Sequence, residues 1–154
     1  MERWINRIIE LEGVHLMPHR HILGKTYIGV RRCLEDFPLT TEERKALGDY
    51  MHGITNNGAK MLLRNDLYRC YESLKRHIKR FENTDEERQF AVLYFYWYYE
   101  KKGIRQNYAL FKYVERGNFA MATYEFLQTT FAQRRPKCAQ KIATALKKGV
   151  WKLI

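Results

Sequence analysis

Apolar residues between Thr55 and Phe81 fall at Ala59, Leu63, Leu67, Cys70, Leu74, Ile78 and Phe81. The steps of three and four are those of one helical face, so the pattern predicts a single helix over 55–81. At 1.5 Å per residue such a helix reaches roughly 39 Å, longer than a small domain is wide. It is expected to link two lobes.

The flanking segments have other rhythms. Trp4, Ile5, Ile8, Ile9 and Leu11 predict a helix over about 2–11, stopped by Gly13. From Val14 to Leu34, short β-type pieces ("VHLM", "KTYIGV", "RRCL") are separated by Pro18 and Gly24 and predict a small antiparallel sheet. "PLTTEERKALGDYM" reads as a short helix capped by Thr40 or Thr41 and broken at Gly53. After "ENTD", Thr84 with Glu87 three residues on has the capping-box spacing. The helix it opens carries "FAVLYFYWYY", apolar on every face and therefore expected to be buried all round, and "KKG" (101–103) is its expected stop. Helices over about 107–115 and 118–131 follow. A last one opens at Pro136, packs Ile142, Ala145 and Leu146, and ends near Gly149. The fold class is α+β, mostly helical. One domain of 154 residues is expected to comprise a small α+β lobe (1–54), an interlobe helix (55–81) and a helical lobe (82–154).

Composition narrows the partners. With 45% hydrophobic residues the chain can build a core, which argues against disorder. A net charge of +11 favours a polyanionic partner, whether nucleic acid, an anionic membrane or an anionic cell-wall polymer, and charge alone does not choose among them. The lack of a recognised nucleic-acid motif counts against nucleic acid. "KRHIKR" (75–80) and "KKG" (147–149) are the densest basic runs and read as solvated helix faces. Cys33, Cys70 and Cys138 are odd in number and lack a CxxC spacing, so reduced thiols are expected. The N-terminus has no continuous apolar segment of the signal-peptide kind. The apolar run from Phe90 to Tyr99 is too short for the roughly 20 residues of a spanning helix, so no membrane insertion is expected.

Four stretches carry a resemblance: "IIELEGVHL", "KTYIGV", "ITNNGAKMLLRNDL" and "RRPKCAQKIATALKKGVW". In this order they resemble the phage-type lysozymes, the endolysin muramidases of glycoside hydrolase family 24, over nearly the whole chain. The resemblance implies a lysozyme-like two-lobed fold. The family's catalytic spacing is Glu, eight residues, Asp, five residues, Thr. Starting from Glu12, the matching positions hold His21 and Tyr27. The family's GxGH after the strand reads "GVRR" here, Gly29 to Arg32. Arg32 replaces the family's His and Asp66 matches its Asp, so a charged bridge between sheet and helix is expected to survive.

Inverting glycoside hydrolysis needs an acid for the departing oxygen and a base for water, with carboxyls roughly 6.5–9.5 Å apart. The resemblance assigns the acid to Glu12, which burial must then keep protonated. The plainer reading of Glu12 is a helix-end carboxylate paired with an Arg. His21 can act as a base but cannot supply the anion that a carboxylate places beside an oxocarbenium-like transition state; it can equally be a solvated loop histidine. His19 and Arg20, if they face inward, oppose the acid role. Tyr27 stands where the family holds its water with Thr, or is simply a strand aromatic. Cys33 and Tyr96 are assigned to substrate contact, Tyr96 as a cleft-lining aromatic in the family's manner. His15 with "HRH" (19–21) invites a metal, but no Cys or Glu completes a tetrahedral set, so no metal and no cofactor is expected.

The resemblance thus implies a peptidoglycan-directed protein. If it cuts, it hydrolyses the β-1,4 bond between N-acetylmuramic acid and N-acetylglucosamine. The alternative is an inactive protein of the same fold that binds glycan or a protein partner. A monomer made in the cytoplasm and acting at the cell wall is expected.

Overall fold

A computed structural model describes residues 1–99 and 103–151. The protein is α+β and mostly helical. It divides into two compact units, Met1–Tyr68 and Arg69–Ile154.

The first unit opens with α1 (Glu2–Glu12), which buries Trp4, Ile5 and Ile8. Gly13 ends it at φ 77°, its N–H bonded to Ile9 O at 2.8 Å. Three antiparallel strands follow, β1 (His15–Arg20), β2 (Thr26–Gly29) and β3 (Arg32–Cys33), in the order β1-β2-β3. Pro18, expected to separate strands, lies inside β1. It is tolerated because β1 is an edge strand and its pairing with β2 is irregular between His15 and His19. The turn from β2 to β3 places Gly29 at φ 68° and Arg31 at φ 60°.

Helix α2 (Thr41–Leu47) begins with a full capping box. Thr40 Oγ1 accepts from Glu43 N at 3.1 Å, and Glu43 Oε1 accepts from Thr40 N at 2.9 Å. It stops at Gly48 rather than Gly53, and residues Tyr50–His52 form a separate 3₁₀ turn. The earlier glycine already supplies the positive φ (68°) that a helix exit favours. Ile28, Leu39, Ile54, Ala59 and Leu62 form the local core.

Helix α3 (Asn56–His77) runs from the first unit into the second. It ends four residues before Phe81. The chain then tightens: Phe81 N–H bonds Ile78 O at 3.0 Å, and Phe81–Asn83 form a 3₁₀ turn, so Ile78 and Phe81 remain buried beyond the helix end.

In the second unit α4 (Glu86–Tyr98) is capped by Asp85, which accepts from Arg88 N at 3.2 Å. Thr84, one residue earlier, donates to Arg80 O instead. Residues 90–97 are all buried, as the all-round apolar pattern requires. The expected stop at 101–103 falls mostly outside the described residues. A short α5 (Gly103–Gln106) and α6 (Tyr108–Glu115) follow. The helix expected over 118–131 is two, α7 (Phe119–Leu127) and α8 (Thr130–Arg134). Thr129 caps the second by accepting from Ala132 N at 3.2 Å. Helix α9 (Pro136–Lys148) starts with Pro and ends at left-handed Gly149. Its contacts with α4 and α7, and a ring cluster of Tyr94, Phe95, Phe126 and Phe131, make the core of this unit. Cys33, Cys70 and Cys138 are buried thiols. No described helix is long and apolar enough to cross a membrane.

Candidate functional site

A pocket of about 200 Å³ opens in the first unit, lined by Glu12, Gly13, His15, His19, His21, Tyr27 and Arg31. It is smaller than the roughly 300–1,000 Å³ of pockets that enclose a whole ligand, so it suits one ring or one group of a longer chain. Three elements build it. Helix α1 delivers Glu12 in its last turn. The β1–β2 hairpin supplies the imidazoles and Tyr27. The β2–β3 turn supplies Arg31.

Glu12 has a side chain only 5% exposed, with Arg31 Nη1 at 4.0 Å. The C-terminal end of a helix carries partial negative charge, which is unfavourable for a carboxylate. Arg31 provides the opposing charge, and it does so from a left-handed backbone that a non-glycine residue rarely adopts.

His21 begins the turn between β1 and β2. Its N–H donates to Lys25 O at 2.7 Å, and its Nδ1 accepts from Leu23 N–H at 3.3 Å. With Nδ1 accepting, the neutral ring carries its proton on Nε2. A general base needs a free lone pair, and in this arrangement the only one is already engaged.

Tyr27 is half-buried and pairs with His19 across the ladder. Its ring lies 6.0 Å from that of His19 and 6.1 Å, edge-on, from that of His21. Burial raises the phenol above its ordinary range, so it remains a neutral hydrogen-bonding group. His15 and His19 stack with ring centroids 4.2 Å apart. His19 is shifted below the usual imidazole value, first by burial and then by the neighbouring His15. Its Nδ1 is buried without a hydrogen-bond partner among the described residues.

The other two expected contact residues do not line the pocket. Cys33 pairs with Tyr27 on the far side of β2, where its buried thiol lies 3.6 Å from Glu35 Oε2, and burial raises the thiol above its ordinary value. Tyr96 belongs to the second unit, where its hydroxyl lies 2.8 Å from Ser73 Oγ. Among the described residues no three His, Cys, Asp or Glu side chains are arranged to hold a metal ion.

Arg32, the residue after Arg31, belongs to a buried ionic cluster. Arg32 donates to Glu43 at 2.7 and 3.1 Å and to Asp66 at 2.9 Å. It also donates to the carbonyls of Phe37 (2.8 Å) and Pro38 (3.3 Å). The bridge expected from Arg32 to Asp66 is present, with Glu43 as an unforeseen third member. The cluster fixes the strand that follows Arg31 against α2 and α3.

No family model matches the chain, and no match is found among curated proteins.

Proposed function

We propose that this chain is a lysozyme-like, peptidoglycan-directed protein whose first-unit pocket holds part of a glycan strand without cutting it. One observation carries the reading. Glu12, His21 and Tyr27, the three positions singled out by resemblance to phage-type lysozymes, meet in one pocket. The net charge of +11 supports an anionic wall polymer as partner, since a positive protein raises its local concentration.

The altered positions favour holding over cutting. Only one carboxylate lines the pocket, and Arg31 faces it. The residue in the base position has its free nitrogen engaged by Leu23. Imidazoles and a phenol both donate and accept hydrogen bonds, which suits sugar hydroxyls and acetamide groups. Hydrolysis is the second reading, favoured by the convergence of Glu12 and His21. In it Glu12 protonates the leaving oxygen, and His21 activates water after releasing Leu23.

The test is co-sedimentation with purified peptidoglycan together with muropeptide release, for the native protein, Glu12→Gln and His21→Ala. The expected result is binding by the native chain and no release by any of the three. Absence of co-sedimentation overturns the proposal. Release by the native chain that Glu12→Gln abolishes establishes the hydrolytic reading instead.

A further inference from the structure

The turn at the tip of the β1–β2 hairpin carries Ile22 and Leu23, which are 93% and 83% exposed. No other exposed large apolar side chain among the described residues exceeds 60%. Turns of this kind are ordinarily filled by Gly, Asn, Asp or Ser. Nothing in the local backbone calls for two aliphatic residues here.

The tip is also well held. Gly24 N–H bonds His21 O at 2.8 Å, His21 N–H bonds Lys25 O at 2.7 Å, and Leu23 N–H reaches His21 Nδ1. Gly24 makes the turn possible at φ 87°. At the base, Lys25 Nζ pairs with Asp36 at 2.8 Å, and Thr26 N–H bonds Glu35 Oε2 at 2.8 Å. The hairpin thus presents the two side chains on a braced support.

The chemistry of the tip selects its partner. Ile and Leu offer no hydrogen bond to a sugar. They gain most from an apolar medium. The charge around them is positive: Arg20 is exposed on one side, Lys25 shares its charge with Asp36 on the other, and the chain carries +11. A medium that is anionic at its surface and apolar beneath is a lipid bilayer.

We propose that the Ile22–Leu23 hairpin tip is a peripheral anchor for an anionic lipid bilayer, with both aliphatic side chains entering the acyl boundary and Arg20 at the headgroup level. This is surface attachment by a loop, distinct from a spanning helix. It does not depend on what the neighbouring pocket holds.

The experiment is flotation of the full chain with vesicles of phosphatidylcholine alone or mixed with phosphatidylglycerol. Salt is kept near 0.15 M, where exposed charges are screened beyond about 8 Å. The native chain is expected to float with the mixed vesicles and several-fold less with the neutral ones. I22S/L23S, altered only at exposed positions, is expected to melt like the native chain and to partition at least about ten-fold less. It is expected to retain co-sedimentation with peptidoglycan, which separates this proposal from the reading of the pocket. Equal flotation of native and I22S/L23S protein overturns the anchor, because the basic surface alone would then account for binding. A native chain that ignores both vesicle types overturns it as well and points to a protein pocket as the occupant.

Discussion

Replacing Arg32 by Met is expected to destabilise the protein severely at neutral pH and less so in acid. Arg32, Glu43 and Asp66 are each no more than 3% exposed, and one guanidinium serves both carboxylates. Removing one partner of a buried ion pair costs about 3–5 kcal/mol, because the other charge stays buried without compensation. Burial alone would raise the Glu43 carboxyl, but hydrogen bonds from Arg32, Asn65 and Thr40 outweigh it and hold the group at about 2, against an ordinary 4.5. At about 1.4 kcal/mol per unit, that difference corresponds to about 3.5 kcal/mol, shared among Arg32, Asn65 and Thr40. The folded value lies below the unfolded one. The contribution is therefore complete above pH 4.5 and is lost as pH falls through about 2. Arg32→Met should lower the melting temperature by about 10 °C at pH 7, read by circular dichroism. The gap should narrow as pH falls from about 4.5 toward about 2, since protonated carboxyls are easier to bury without a cation. Arg32→Lys should fall between the two, because an ammonium cannot fork to both carboxylates. A variant that melts like the native protein at pH 7, or a gap that stays constant into acid, refutes the reasoning.

Three more outcomes follow from the geometry. Thr40→Ala removes the hydroxyl that accepts from Glu43 N and should cost about 1 kcal/mol in chemical denaturation, while Glu43 keeps its bond to Thr40 N. His19, lowered by burial and by His15, should titrate below 6.5 in an NMR titration and move up toward that value in His15→Ala; its contribution to stability is complete above pH 6.5 and lost as pH falls below it. His21→Asp with Tyr27→Thr returns an anion and a small hydroxyl to the pocket, and should raise muropeptide release above the native level if the pocket still presents Glu12 to a glycosidic bond; unchanged release means the scaffold has lost that geometry as well.

The chain's periodicity revealed its helices better than their ends. Ala59, Leu63, Leu67, Cys70, Leu74, Ile78 and Phe81 are all buried, because a repeating apolar face reports packing directly. Boundaries depend on contests between neighbours. Thr84 and Asp85 are both good caps, and the choice turns on whether Thr84 is drawn to Arg80 O. Gly48 and Gly53 both adopt positive φ, and the nearer one ends α2. Thr129 looks like a mid-helix residue until its side chain is seen capping α8. Glu12, His21 and Tyr27 could be singled out only through resemblance. Arg31 was illegible because its entry into the pocket depends on a left-handed turn that no residue type announces. His15, His19 and His21 are separated by even steps, which places them on one face of the strand, and that grouping was legible in the sequence.

The pocket's electrostatics bear on what it can do. A glycosidic bond breaks through an oxocarbenium-like state, which gains positive charge and is stabilised by anions on either side. Here the single carboxylate stands at the negative end of a helix, is faced by Arg31, and is surrounded by three imidazoles. Any proton taken up by those rings makes the pocket more positive, which further opposes a developing cation. The same change favours the carboxylates and anionic polymers of a bacterial wall. Arg31 sharpens the point. A non-glycine residue in left-handed backbone costs about 1–2 kcal/mol, and strain of this kind persists where surrounding structure enforces it. The Arg32 cluster on the next residue is that enforcement. The buried network holds the strand, the strand holds the strained turn, and the turn sets a cation against Glu12, which is the electrostatic ground for proposing that the pocket holds a glycan rather than breaks it.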